Sequence, residues 1–261
     1  MIRLLGVKNM MMKDLTIQTN RRRHIIEAAD MYGFTITGCK ISGNNKDNKA
    51  PYTSVQPKEA VQLDVATASA MPGFNTASKM YNGKGCHRVL LKNNTFYNCA
   101  RGIGSHSGTG KGIEKYPYTY ITVAGNTIKN VLGEAIYAQN WRYSTINSNK
   151  ISNCRQAGIY LLDTYNIRLN KNQISSVKKY TGQRQTTYDP RGAYGVGVLA
   201  RRCNTLYMNY NTVKKMPGKA FFWRLDVKKS QIKEIKYNER TVPSGAFFCL
   251  LIFLHITSNK K

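Results

Sequence analysis

The chain has 261 residues, 40 of them Lys or Arg and 13 Asp or Glu, which gives a formal net charge of +27. This length suits one domain, and the positive charge favours a polyanionic partner such as an acidic polysaccharide, a wall polymer, a nucleic acid or an anionic surface. No RNA-binding or helix-based DNA-binding motif is present, and no apolar run is long enough to span a membrane, which argues against a specific nucleic-acid reader and a membrane-spanning protein.

The N-terminal third begins with short predicted strands. Residues 7–17 resemble a repeat unit, and in residues 24–28 Ile26 is expected to point inward, between His24 and Glu27. No basic start followed by a long apolar stretch is present, so we expect no secretory signal in this segment. We expect the chain to be part of a larger secreted protein.

Two later phrases alternate apolar and polar residues, as half-buried strands do. Residues 59–64 read Glu-Ala-Val-Gln-Leu-Asp, and residues 101–106 read Arg-Gly-Ile-Gly-Ser-His. Between them, residues 65–85 form a long Gly/Ala/Ser-rich excursion, which we expect to wall a groove together with a loop at 107–118.

From residue 94 onward, one phrase recurs with a period of 23 residues or slightly more. Repetition at this period indicates one short unit stacked many times. An asparagine and an apolar residue two positions later mark each unit, as in Asn94/Phe96, Asn126/Ile128, Asn149/Ile151, Asn172/Ile174 and Asn211/Val213. The asparagines are expected to bond from coil to coil at a turn, with Cys39 in the equivalent place of an earlier coil, and the apolar residues to stack inside.

A second phrase per unit completes the pattern: 102–104, 135–137, 158–160 and 195–197. The linkers between phrases are too short and too poor in helix signals for helical crossovers. Two or three short strands per turn without helices predict an all-β right-handed parallel β-helix solenoid of about eight coils over residues 1–238, with loop insertions near 65–85, 107–118 and 179–192. Leucine-rich repeats are the alternative, but their regular leucine framework is missing.

The ends and the cysteines add three expectations. The apolar residues 246–254 lie in a C-terminal segment, 239–261, that we interpret as a cap strand or a non-native tail. The six cysteines show no metal-binding spacing. Cys99 and Cys154 are predicted two coils apart in one column, about 10 Å from each other, which is too far for a disulfide.

Alignment of the early units predicts a polar cluster on one outer wall. Arg101 aligns with Glu59, His106 with Asp64, Glu27 with Gln62 and His24 with Glu59, while Glu134 follows Arg101 in the next coil. Closely spaced carboxylates beside His and Arg shift one another's pKa values, which is how catalytic acids and bases are made. A structural salt-bridge network is the alternative interpretation. Tyr137 and Tyr160 are expected to point outward from the later coils, followed by Gly197.

The repeats resemble those of the pectate lyase-like parallel β-helix proteins over roughly residues 5 to 215. More narrowly, the phrases at 24–27, 59–64 and 101–106 are similar to those of secreted or wall-attached β-helix proteins of Gram-positive bacteria. Many proteins of the broader fold cleave acidic polysaccharides by β-elimination, hydrolyse pectin-type chains or epimerise uronates. The polygalacturonase phrases Asn-Thr-Asp, Asp-Asp, Gly-His-Gly and Arg-Ile-Lys are absent, which argues against that group of hydrolases. The resemblance implies an extracellular or wall-attached protein.

Three functions remain open. The first is a polysaccharide lyase, in which His106 or His24 is the base. The substrate carboxylate would be neutralised either by Arg101 or by a Ca²⁺ ion held by Glu27, Glu59 and Asp64. The second is a glycoside hydrolase that uses two of the three acids. The third is an adhesin or other surface module that binds glycans without chemistry. In each case Gln62, Glu134, Tyr137 and Tyr160 are the predicted substrate-binding residues, and the chain is expected to be a monomer or part of a multidomain protein.

Overall fold

The computed structural model describes residues 1–19, 23–44, 58–74, 79–105, 116–178, 195–215, 221–224 and 232–236. Its elements are short strands: β1 (Ile2–Leu5), β2 (Met11–Lys13), β3 (Thr16–Gln18), β4 (Ile26–Ala29), β5 (Tyr32–Thr37), β6 (Lys40–Ser42), β7 (Glu59–Asp64), β8 (His87–Lys92), β9 (Thr95–Cys99), β10 (Arg101–Ser105), β11 (Tyr118–Ala124), β12 (Thr127–Val131), β13 (Ile136–Gln139), β14 (Trp141–Asn147), β15 (Lys150–Ser152), β16 (Ala157–Leu162), β17 (Tyr165–Asn170), β18 (Gln173–Ser175), β19 (Val196–Arg201), β20 (Asn204–Asn209), β21 (Thr212–Lys214), β22 (Phe221–Arg224) and β23 (Ile232–Lys236). No helix in this part of the chain is long and apolar enough to cross a membrane.

The strands form three parallel sheets, each taking every third strand. Sheet A runs from β1 to β22, sheet B from β2 to β23 and sheet C from β3 to β21. Seven coils have all three strands, and β22 and β23 belong to an eighth. The prediction of an all-β parallel β-helix is confirmed, with about seven complete coils rather than eight.

The asparagine ladder is confirmed at the corner between sheets B and C. In each step, the backbone N–H and the Nδ2 of one asparagine donate to the Oδ1 of the next coil's asparagine, at 2.8–3.1 Å. Nδ2 also donates to a backbone carbonyl of the preceding coil, as Asn149 does to Val123 at 2.9 Å. Cys39 begins the column, because its N–H donates to Asn94 Oδ1 at 2.9 Å. The buried amide groups are therefore satisfied by stacking alone.

The residue before each ladder position makes the bend. Asn93, Ser148 and Lys171 adopt left-handed backbone angles, with φ of 55°, 52° and 52°. Backbone hydrogen bonds between coils continue through this bend, because Ser148 N–H donates to Asn170 O at 2.9 Å and Lys171 N–H donates to Asn209 O at 2.9 Å.

The core is a set of stacked apolar columns inside the coil. In sheet C, one column holds Ile17, Ile41, Phe96, Ile128, Ile151, Ile174 and Val213. This confirms the predicted inward column. The described cysteines, at 39, 86, 99, 154 and 203, are buried free thiols. Cys99 pairs in register with Val131, in agreement with the predicted column.

The register of sheet A differs from the prediction at Gly197, and one predicted loop is shorter than expected. Ile159 pairs with Val198 and Tyr160 with Leu199, so the placement of Gly197 beside Tyr160 was wrong by two residues. The excursion after Asp64 is present, and another long connection joins Ser42 to Glu59. Tyr118 belongs to β11 rather than to a loop. The greater part of the 107–118 loop, the 179–192 loop and the tail 239–261 lie outside the described residues.

Candidate functional site

The predicted polar residues of sheet A share its outer face, although strict alternation along the strand would separate them. At the start of β7, both Ala60 and Val61 belong to the inner core, so the alternation is interrupted once. Glu59 and Gln62, three positions apart, are thereby both placed outside. Ile25 with Ile26 and Ala135 with Ile136 repeat this interruption in neighbouring coils.

The strand register brings the predicted columns together. Arg101 pairs with Glu59, and Glu27 pairs with Gln62. Gly104 lies beside Gln62 and Tyr137 in the same column. The predicted alignment of these strands is therefore correct.

Arg101 is the centre of the cluster. Its Nη1 donates to Glu59 Oε1 at 2.6 Å, and its Nε donates to Glu134 Oε2 at 2.9 Å. His24 Nδ1 lies 3.2 Å from Glu59 Oε2. Burial alone would lower the pKa of the Arg101 guanidinium, but Glu134 and Glu59 together hold the pKa above its ordinary value. Arg101 therefore remains charged and neutralises both carboxylates.

The other two carboxylates each have their own partners. Arg3 Nε donates to Glu27 Oε2 at 2.6 Å, and the Arg3 guanidinium lies 5.0 Å from the centroid of the Phe74 ring. Gln62 Nε2 donates to Asp64 Oδ2, and the Val65 N–H donates to Asp64 Oδ1 at 2.8 Å. The first part of the 65–85 excursion thus folds onto Arg3, the partner of Glu27, and Glu27 is buried instead of open to a groove.

Burial distinguishes this cluster from an open catalytic site. Asp64, Glu59 and Gln62 are 1% exposed. Tyr137 and Tyr160 are on the outer face as predicted, but both are buried, and the Tyr137 ring lies 4.5 Å from the Arg101 guanidinium. Burial raises the pKa of Tyr137 above its ordinary value, although Arg101 opposes that shift. The arrangement has the character of a buried ion-pair network.

The catalytic and metal roles of these residues stay predictions. His106 lies outside the described residues, so its alignment with Asp64 is not observed. Among the described residues, no group of three or more His, Cys, Asp or Glu converges as metal ligands do. Glu27, Glu59 and Asp64 face separate partners instead, so this geometry does not support the Ca²⁺ site.

A second surface was not anticipated from the sequence: the outer face of sheet B, here called face B. We define it by the outward side chains of the first seven strands of the sheet, β2, β5, β8, β11, β14, β17 and β20; the eighth strand, β23, contains Glu234 and is not included. These seven strands contain no Asp or Glu. Their basic residues are Lys13, Arg88, Lys92, Arg142 and Arg168, most of them exposed. Face B is therefore positively charged and open to solvent.

The available signal for face B was the repeat itself. Tyr120 and Tyr143 are 23 residues apart, and Tyr165 follows 22 residues later. The acids of sheet A are a more conspicuous sequence pattern than this tyrosine series, because they align in neighbouring coils of a chain that has few acids.

Comparison with known proteins agrees with this architecture. The profile of the family described as "right handed beta helix region" matches residues 75–224. The chain therefore belongs to the right-handed β-helix family. No curated protein matches the chain significantly.

Two solved structures show similar folds. The structure of PfbA, a surface adhesin of Streptococcus pneumoniae, is 14% identical, with a TM-score of 0.55 over 84% of this chain and 52% of that chain. The enzymatically active domain of tailspike protein 2 from bacteriophage CBA120 is 9% identical, with a TM-score of 0.32 over 73% of this chain and 32% of that chain. The chain thus spans about half the length of PfbA.

Proposed function

We propose that the protein binds an acidic polysaccharide through face B. The observation that carries the proposal is the segregation of charge between two sheets. Four of the 13 acids, Glu27, Glu59, Asp64 and Glu134, gather on the outer face of sheet A, whereas the seven strands of face B have none. Basic residues spaced along a rigid solenoid attract a long anionic chain at several points.

The charges on face B are available to a ligand. Arg88, Lys92 and Arg168 are exposed, and no ion pair involves them in the described part of the chain. Because these cations have no acidic partner among the described residues, an incoming carboxylate or sulfate gains their attraction without first displacing an ion pair.

The lyase and hydrolase functions are less well supported by the geometry. Their residues on sheet A are buried, and Glu59 and Glu134 are already neutralised by Arg101. A lyase requires a free base within reach of a substrate proton. We therefore rank binding without chemistry first, and an assay for the unsaturated product on the same polysaccharides tests the lyase directly.

We also propose that the intact protein acts at the cell surface or in the wall. The support is the fold shared with the adhesin PfbA, together with a basic face suited to anionic wall polymers. Labelling of intact cells with an antibody to this domain tests the location, and signal confined to the cytoplasm contradicts it.

The experiment for face B compares two triple variants of equal charge change. Arg88→Gln/Lys92→Gln/Arg168→Gln removes three cations from face B, and Lys40→Gln/Lys129→Gln/Lys150→Gln removes three exposed cations from the outer face of sheet C. Affinity for polygalacturonate, alginate and heparin is measured by calorimetry at low salt, with neutral dextran as the uncharged control.

We expect the face B variant to lose at least about tenfold in affinity, or about 1.4 kcal/mol, and the sheet C variant to lose about twofold or less. Binding by the wild-type protein should weaken as salt rises, because screening shortens the reach of each charge. Absence of binding to every acidic polysaccharide, or equal losses in the two variants, overturns the proposal.

A further inference from the structure

Aromatic side chains form a continuous column across five coils of face B. The column consists of Tyr32, His87, Tyr120, Tyr143 and Tyr165. Successive ring centroids are 5.0, 5.2, 5.7 and 5.4 Å apart. The pairs Tyr32–His87 and Tyr120–Tyr143 are stacked, with interplanar angles of 21° and 20°, and the other two contacts are edge-to-face.

The four tyrosines of the column are exposed. Tyr120 is 52% exposed, Tyr143 46%, Tyr32 39% and Tyr165 37%. These four are among only nine large apolar or aromatic side chains that are exposed in the described part of the chain. Because the centroids are farther apart than rings in direct face contact, about 3.5–4.0 Å, the rings overlap only in part and leave ring surface open.

We infer that this column is a track on which a linear polysaccharide of pyranose units lies along the solenoid axis, with about one sugar unit per coil. The C–H faces of pyranose rings are apolar and pack on aromatic rings, and aligned aromatic side chains offer a large contact area at low entropy cost. Neighbouring rings follow the coil spacing of about 4.8 Å, which is close to the length of one pyranose unit. This inference rests on the proposed function and adds the direction, the register and the class of sugar ring.

Basic side chains border the track, so that the anionic groups of the same ligand have partners. The Arg88 guanidinium lies 5.5 Å from the Tyr32 ring centroid. Arg142 pairs in register with Tyr165 in the adjacent strand, and Lys8 pairs with Tyr32. A chain that carries carboxylates at intervals would place its sugar faces on the column and its charges beside these cations.

The spacing favours a polysaccharide over a single-stranded nucleic acid. Stacked nucleotides rise about 3.4 Å per step, whereas the rings here are 5.0–5.7 Å apart and contact one another. There is consequently no gap between neighbouring rings into which a base could insert. A ligand must lie over the column rather than thread between its members.

The test compares Tyr120→Leu/Tyr143→Leu with Tyr97→Leu/Tyr210→Leu, which removes two tyrosines outside the column. Tyr120→Phe/Tyr143→Phe keeps the ring faces and loses only the hydroxyl groups. All three are first compared with the wild type by thermal unfolding. Affinity for a size series of oligogalacturonates is then measured at low salt and at about 1 M salt, where the Debye length is only about 3 Å.

We expect wild-type affinity to rise with length up to about five sugar units, one for each ring of the column, and then to level off. At high salt the column leucine variant should lose about tenfold or more, while the phenylalanine variant and the control pair should stay within about twofold of the wild type. If the column leucine variant binds as tightly as the wild type at high salt and keeps its charge-dependent binding, the track is overturned and the proposed function is unaffected. Absence of binding at low salt removes both. Tighter binding of a single-stranded oligonucleotide of equal charge, lost in the same variants, overturns the assignment of the ligand to a polysaccharide.

Discussion

Arg101 and Glu59 are held together on the outer face of sheet A by a hydrogen bond of 2.6 Å, with both side chains almost fully buried. The Arg101 guanidinium also contacts Glu134, so one cation serves two carboxylates. A buried ion pair is costly to form, but the removal of one partner leaves a buried charge without compensation. This relationship makes Arg101 the residue on which the cluster depends.

Arg101→Met should therefore destabilise the protein strongly. The substitution keeps much of the side-chain volume and removes the guanidinium that neutralises Glu59 and Glu134. We expect a loss of about 3–5 kcal/mol in the free energy of unfolding by urea. The matched control is Arg202→Met, since Arg202 pairs with Asp163 at a partly exposed position and should lose about 1 kcal/mol or less. Equal losses in the two variants would show that burial adds nothing to the Arg101 pair.

The asparagine ladder permits a comparison within one residue type. Asn149 Nδ2 donates to Asn172 Oδ1 and to Val123 O, and Asn149 Oδ1 accepts from Asn126. Asn149→Ala breaks these bonds and leaves buried partners unsatisfied, so we expect a loss of about 3 kcal/mol. Asn153→Gly removes one exposed bond, from Asn153 Nδ2 to Asn130 Oδ1. Because Gly accepts the left-handed φ of 51° at this position without strain, this variant should lose about 0.5 kcal/mol or less. Thermal unfolding of both variants measures the difference, and a smaller loss for Asn149→Ala contradicts the ladder's role.

The fold could be predicted because the positions of the asparagines show which residues align from one coil to the next. Asn149 and Asn172 interrupt apolar phrases at the same point, and a buried polar side chain in a stack can be satisfied only by its equivalent in the next coil. The columns of the polar cluster followed from the same alignment. Gly197 was misplaced because an insertion precedes it, and nothing in the sequence shows how many residues of that insertion belong to the next strand.

The burial of the cluster could not be predicted, and the repeat marks only part of the aromatic column. Pro72 and Phe74 contact Arg3, the partner of Glu27, and contacts from a long excursion leave no periodic trace in the sequence. In the column, Tyr165 pairs in register with Arg142 rather than with Tyr143, so its rings come from two adjacent backbone positions. The directions of the side chains bring the five rings together, so an alignment of the coils does not place all five in one column of residues.

The buried thiols predict a decline in stability at alkaline pH. Burial raises the pKa of Cys86, Cys99 and Cys154 to about 12 and that of Cys203 to about 11. Each folded pKa lies above the ordinary thiol value of 9.0, so the unfolded state releases these protons first. The stability that the neutral thiols contribute is thus fully present below about pH 9 and is lost as the pH rises toward the folded values.

Cys154→Val isolates this effect, because Val131 already occupies the same column of the core. Urea unfolding at about pH 8 and about pH 10.5 measures how far the free energy of unfolding falls between these two pH values. The fall should be smaller in the variant than in the wild type by about 2 kcal/mol, which is the contribution of one thiol that titrates over about 1.5 pH units. The same decline in both proteins would contradict a neutral buried thiol at position 154.

The absence of a side chain at Gly104 leaves room on β10 for the side chain of Glu59, the partner of Arg101. A Cβ on Gly104 would lie 2.5 Å from Glu59 Cγ and 3.0 Å from Glu59 Oε1, and its three nearest atoms all belong to Glu59. Gly104→Ala should lose about 1–3 kcal/mol through this overlap. In a Glu59→Ala background the Cβ of the same substitution meets none of those atoms, so the loss in the free energy of unfolding should be smaller. A double-mutant cycle measured by urea unfolding should therefore show a coupling of about 1 kcal/mol or more. Additive losses would place Glu59 away from Gly104 and contradict the arrangement of the whole cluster.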